Sequence, residues 1–144
     1  SGGELRIQIA SPRLESIRMD GRSSVRVNGG LRNPAIALVA SRGAQITALR
    51  LGTRRLSVEA DRGGKIRIGG HAQTLQAKAS GGVIEARRLS AAVARVSSVE
   101  HARVEVHAEE SLEAYARDRA SILYQATPRR LLEDLDHSSR LQML

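Results

Sequence analysis

The sequence contains no cysteine, no phenylalanine and no tryptophan, and only Tyr115 and Tyr124 are aromatic. The lack of cysteine excludes disulfides and thiolate chemistry, and it leaves the redox compartment open. The lack of aromatics means that any core must be built from Leu, Ile, Val and Ala, residues that suit thin repeated layers better than one large centre. It also removes the stacking platforms that base recognition uses, so no sequence-specific nucleic-acid partner is expected. Lysine is almost missing: Lys65 and Lys78 stand against 21 arginines. No stretch approaches the roughly 18 apolar residues of a membrane span. No signal peptide is recognisable, and Ser1-Gly2-Gly3 reads as a tag remnant or a trimmed start. Residues 4–144 are therefore expected to form a single domain, long enough to bury a core.

What is present is charge and repetition. The net charge is +8, a balance that suits polyanions. The basic residues are nevertheless spread along the chain, as they would be on the surface of any arginine-rich protein. Aligned on their first apolar residue, the stretches beginning at Ile36, Leu56, Leu75, Val93, Leu112 and Leu131 follow one another at steps of 20, 19, 18, 19 and 19 residues. Ser16 to Val25 is an earlier, looser copy, so seven related units fill the chain. Within a unit three apolar residues alternate with polar ones, as at Leu56, Val58 and Ala60. A polar or glycine turn follows, and then a second alternating pair such as Ile66 and Ile68. Period-two alternation marks strands with one buried face, and Gly63-Gly64, Gly69-Gly70 and Gly81-Gly82 mark turns. Two short strands and two turns per unit predict one coil of a β-solenoid. The rival is a helical array, since 85–126 is rich in helix formers and Val93, Val96 and Val99 are spaced by three. Glycine pairs, β-branched pairs and a repeat shorter than the roughly 33 residues of helical arrays argue against it.

The series from ELRIQIASPRLESIRMDG to SILYQATPRRLLEDL resembles the bacterial head GIN domain family of auto-transporter adhesins. The matching features are the proline-containing lead-in before Leu14 and Ile17, the turns Ser41-Arg42-Gly43, Asp61-Arg62-Gly63-Gly64 and Ser80-Gly81-Gly82, and a Tyr-x-x-x-Pro element at Tyr124 and Pro128. The sequence departs from that pattern where Ser97-Ser98-Val99, Arg117-Asp118-Arg119 and Asp136-His137-Ser138 replace glycine turns. The resemblance implies an all-β, right-handed parallel β-helix-like solenoid of about seven coils. It also implies a periplasmic, outer-membrane-associated or extracellular location and an adhesive role. It brings no catalytic residues.

Stacked coils place equivalent residues about 4.8 Å apart. One turn column would then read Asp20, Ser41, Asp61, Ser80, Ser97, Arg117, Asp136. Short polar side chains in such a column ordinarily satisfy turn amides. Asp20 and Asp61 would lie about 9.6 Å apart, at the outer edge of the roughly 6.5–9.5 Å separation of an inverting glycosidase pair, with Ser41 between them and no sugar platform. No catalytic residue is assigned, and a carbohydrate-active enzyme rests on fold analogy alone. His71, His101, His107 and His137 complete no metal motif, and no cofactor or metal is expected. The basic candidates are Arg42 and Arg62 at matching turn positions, with the pairs Arg54-Arg55, Arg87-Arg88 and Arg129-Arg130 in return turns. If aligned, these would form an edge able to clamp carboxylate or phosphate, opposed by Glu109 and Glu110.

The expected function is a non-catalytic, adhesin-like envelope module, with an anionic polysaccharide or another envelope polyanion as partner. The alternative is self-assembly into homo-oligomers through solenoid ends or edges. The apolar terminus at Leu141, Met143 and Leu144 is expected to pack against another subunit or a neighbouring domain.

Overall fold

The computed structural model describes residues 3–8, 16–21, 23–28, 31–125 and 128–143. The proline-containing lead-in and the link between Tyr124 and Pro128 lie outside the described residues. Eleven strands and no helix are found among those described: β1 (Gly3–Gln8), β2 (Ser16–Asp20), β3 (Ser23–Asn28), β4 (Leu31–Ser41), β5 (Gln45–Asp61), β6 (Lys65–Ser80), β7 (Val83–Val99), β8 (Arg103–Ala116), β9 (Ser121–Gln125), β10 (Arg130–Leu135) and β11 (Arg140–Met143). Every strand pairing is parallel and joins one repeat to the next, for example Leu56↔Leu75 and Ile66↔Ile84. The chain is a β-solenoid of about six turns with a period near 19 residues. The helix-forming residues of 85–125 lie in strands and the short turns between them because alternation, which buries one side chain in two, outweighs local propensity.

Each coil has three sides, one more than the repeat suggested. In the coil of β5 the chain turns at Ser41-Arg42-Gly43-Ala44 and buries Ile46 and Ala48 on a first side. It then buries Leu51 and Thr53 on a short second side, and Leu56, Val58 and Ala60 on a third. The second side was hidden because the alternation changes phase at the corner. The register shifts between Ala48 and Leu51, between Arg67 and Gly69, and between Ala86 and Ser90. Extra residues there form bulges and push side chains outward.

Inward side chains stack in columns. Ile46, Ile66, Ile84, Val104 and Ile122 form one; Leu56, Leu75, Ala94 and Leu112 form another; Ala60, Ala79, Ser98 and Ala116 form a third. All are buried. A fully buried Leu or Ile contributes about 1.5–3 kcal/mol, whereas the alanine column keeps the interior narrow next to the turns. The fourth repeat enters its column at Ala94, one residue after Val93, which pairs instead with Thr74.

The turns share one backbone form. Arg42 and Gly43, Arg62 and Gly63, Glu100 and His101, and Asp118 and Arg119 all have positive φ, between 48° and 84°. In three of these turns the fourth residue's amide donates to the first residue's carbonyl, as in Gly64 N to Asp61 O at 2.8 Å. This is the type I′ pattern. The glycine-free turns of the later coils therefore keep the geometry and accept a left-handed conformation that costs an L-residue about 1–2 kcal/mol. The turn expected at Ser97-Ser98-Val99 falls instead on Glu100 and His101, because Ser98 is an inward core residue with no exposure.

Candidate functional site on the third side, and the arginine-lined corner

The outward columns of the third side are Ala37, Ser57, Gln76, Arg95, Glu113, Leu132 and Val39, Glu59, Lys78, Ser97, Tyr115, Asp134. Two adjoining hollows run along these columns, so the face is a trough rather than a flat sheet. A hollow of about 520 Å³ spans the coils from Ser57 to Asp134. A second, of about 860 Å³, continues from it through Ser57, Gln76 and Arg95 to Arg55 and Pro34. Arg95 Nε lies 3.1 Å from Glu113 Oε2, which holds both side chains along the wall. Tyr115 is 37% exposed and is the one large aromatic presented to solvent among the described residues. The Arg117 guanidinium sits 4.7 Å from its ring centroid, a cation–π arrangement that fixes the ring at the end of the trough.

The sequence-predicted arginines do not meet on one edge. Arg55 and Arg130 share a corner between the second and third sides but are separated by Thr74, Val93 and Ser111, a distance of about 19 Å at ~4.8 Å per coil. Arg54 and Arg129 flank them. Arg87 and Arg88 belong to the opposite corner, between the first and second sides. Arg42 and Arg62 do stack, as neighbours in the turn column, and Arg42 Nε lies 3.4 Å from Asp20 Oδ1.

The turn column reads Asp20, Ser41, Asp61, Ser80 as expected and then departs. Ser80 pairs with Val99, while Ser97 pairs with Lys78 on the third side. Asp20 is taken up by Arg42, and Asp61 Oδ1 is buried with no hydrogen-bond partner among the described residues. At the far end Asp136 accepts from the Asp118 amide at 3.0 Å and from the Ser138 amide and hydroxyl at 3.2 and 2.9 Å. The Asp118 amide foremost, with the Ser139 and Ser138 hydroxyls, holds this carboxyl well below the usual carboxylate range. It is a carboxylate that fastens a turn. His101 and His107 lie at different corners of one coil, and no group of three metal-ligating side chains occurs among the described residues.

Sequence reasoning missed a second charged constellation. Arg26, Thr47, Arg67, Glu85 and Glu105 are partners in successive coils of the first side. Glu105 is only 7% exposed and is held by Arg103 Nη2 at 2.9 Å and Arg87 Nε at 3.4 Å. Glu85 is held by Arg67 Nε at 2.8 Å and Lys65 Nζ at 3.6 Å. Counting three residues past each turn would have found this column.

A family model described as "Putative auto-transporter adhesin, head GIN domain" matches residues 1–128. Two solved structures share the fold. One, described as a "putative adhesin" from Bacteroides fragilis NCTC 9343, superposes with a TM-score of 0.86 at 24% identity over 93% of this chain and 62% of that one. The other, described as a "Putative lipid binding protein" from Parabacteroides distasonis ATCC 8503, gives 0.67 at 18% identity over 100% and 56%. The chain thus spans less than two thirds of either relative. No curated protein sequence matches it significantly. With the solenoid and its period in place, the match over residues 1–128 shows that the chain belongs to the family described as "Putative auto-transporter adhesin, head GIN domain".

Proposed function

We propose that the chain is a non-catalytic binding module of the cell surface or envelope that takes an extended ligand along the trough of its third side. The observation that carries this reading is the continuity of the trough across successive coils, from Arg55 and Ser57 to Tyr115 and Asp134. An adhesive family and a surface location accord with it. The lining supplies hydroxyls at Ser57 and Ser97, an amide at Gln76, carboxylates at Glu59 and Glu113 and one aromatic face at Tyr115. That mixture suits a polyhydroxylated chain, an envelope polysaccharide whose acidic groups meet Arg55 and Arg95. The carboxylates are spread along a wall rather than paired across a cleft, which favours holding over hydrolysis. Binding to a panel of purified envelope polysaccharides is the test. Ser97→Arg fills the trough and Tyr115→Ala removes its aromatic face; each is expected to weaken binding about tenfold or more. Unchanged binding by both variants would overturn the assignment.

A second reading, self-assembly, has one observation in its favour. In the last coil Leu131, Leu132 and Met143 are 37%, 60% and 58% exposed. There β10 pairs only with β8, and β11 only with β9, among the described residues. Open strand edges beside apolar side chains invite a further coil or a second copy. Light scattering at about 0.1 M and about 1 M salt separates the two, because apolar end packing survives screening. A monomer at both salts rules out assembly.

A further inference from the structure

We infer that the corner between the first and second sides is a binding site for a phosphate ester, distinct from the trough and independent of its ligand. The groove there has a volume of about 550 Å³ and is lined by Arg26, Arg50, Arg67, Arg87 and Arg88 against Glu85 and Glu105. Five cations against two anions leave a formal excess of three positive charges in one concavity.

Its construction explains why the charges converge. In β5 the corner carries an extra residue at Leu49-Arg50, and in β7 it carries one at Ala86-Arg87, as the register shifts show. Between these bulged corners the coil of β6 contributes Gly69, which pairs with Arg88. A Cβ on Gly69 would lie 3.1 Å from the Leu49 carbonyl oxygen and 3.3 Å from Arg88 Cβ. The missing side chain at Gly69 thus lets the two bulged corners, and the arginines they carry, pack close to one another. Bulges of this kind re-aim side chains at functional sites.

The two glutamates act as braces rather than as the ligand's competitors. Arg67 and Arg87 each approach their carboxylate through Nε, at 2.8 and 3.4 Å. The edge formed by the two η nitrogens is therefore not the one turned to the glutamate. Arg50 and Arg88 are exposed and have no carboxylate within 4 Å among the described residues.

The guanidiniums of Arg50, Arg67 and Arg88, arriving from three successive coils each about 4.8 Å further along the stack, suit a tetrahedral oxyanion with three free oxygens. A planar carboxylate would satisfy one fork and leave the others unmatched. The groove exceeds the size of an inorganic ion and falls within the roughly 300–1,000 Å³ of small-molecule sites. Leu49, 44% exposed at the rim, offers an apolar contact to the organic part of the ester.

The test is titration of the intact chain with glycerol 1-phosphate by calorimetry, in parallel with sedimentation against vesicles of phosphatidylcholine with and without phosphatidic acid. Binding of the soluble ester, competed by inorganic phosphate, identifies a soluble phosphate ester as the ligand. Binding only of the phosphatidic acid vesicles identifies a lipid headgroup; either result supports the site. The double variant Arg50→Glu/Arg88→Glu is expected to weaken binding about tenfold or more. Arg119→Glu/Arg140→Glu makes the same change in net charge in the last coils, at exposed residues that line neither the groove nor the trough, and is expected to leave binding unchanged. The proposal is overturned if neither probe binds at about 0.1 M salt, or if the two double variants lose binding equally.

Discussion

Gly63 and Gly64 are adjacent in sequence yet required for different reasons, and substituting each by alanine separates them. Gly63 has φ +84°, and the nearest atom to where its Cβ would stand is 3.8 Å away, so Gly63→Ala meets only the left-handed penalty of about 1–2 kcal/mol. Arg62, its neighbour, already bears that conformation at φ 48°. Gly64 has no positive φ, but a Cβ there would lie 2.7 Å from the Ala40 carbonyl carbon and 3.0 Å from the Asp61 oxygen. Relief to an ordinary contact of about 3.5 Å or more requires the backbone to move by roughly 1 Å. That movement stretches both the Gly64 N to Asp61 O and the Val83 N to Gly64 O bonds, at 2.8 and 2.9 Å. With about 1–3 kcal/mol for each buried group left unsatisfied, Gly64→Ala is expected to cost about 3 kcal/mol or more. At about 2–4 °C per kcal/mol for a chain of this size, its midpoint should fall by about 6–12 °C, against about 2–8 °C for Gly63→Ala. Thermal unfolding followed by far-ultraviolet circular dichroism reads both. If Gly64→Ala melts at or above Gly63→Ala, the close-approach argument is wrong.

Leu75 has no exposure and stacks between Leu56 and Ala94; Leu75→Ala should cost about 2–5 kcal/mol in urea unfolding. Leu132→Ala, at a position 60% exposed, should change stability by no more than about 0.5 kcal/mol. Ser98 is fully buried in a column whose neighbours are Ala79 and Ala116, with one long bond of 3.4 Å from its hydroxyl to the Ser121 carbonyl. Ser98→Ala should therefore fall within about 1 kcal/mol of wild type, and a larger loss would show that the hydroxyl holds the coil. The depressed pKa of Asp136 contributes stability that is fully present above the ordinary carboxyl value of 3.8 and is lost as the pH falls towards the folded value. The unfolding midpoint of wild type should therefore drop more steeply than that of Asp136→Asn between about pH 4 and about pH 2; parallel curves would remove Asp136 from the account.

The solenoid was legible because its period is carried by apolar residues such as Leu56, Leu75, Leu112 and Ile66, whose burial depends only on alternation. The second side of the coil was not, since Leu51, Ala72 and Ala108 follow bulges that reset the phase, and a bulge leaves no residue-type signature. The same blindness affected the site. Arg87 and Arg88 stand out as a dipeptide, but their neighbours in space are Arg67 and Arg50, one and two coils away, and only the register joins them. Adjacent basic pairs turned out to be a poor guide, because in a stacked chain proximity lies a whole coil away in sequence. The trough was similarly hidden: Ser57, Gln76 and Arg95 look like ordinary surface residues until their columns are aligned.

The ladder bonds of this fold run along the stack axis, from each coil to the next. A chain anchored at one end and pulled by a bound target at the other would be loaded along that axis, so the coils would peel in turn rather than shear together. Each released coil of 19 residues, the Leu56 to Leu75 step, would lengthen the tether by about 60 Å, given ~3.4 Å per extended residue less one coil rise. Such a protein would yield under tension in nearly equal increments and so act as a shock absorber.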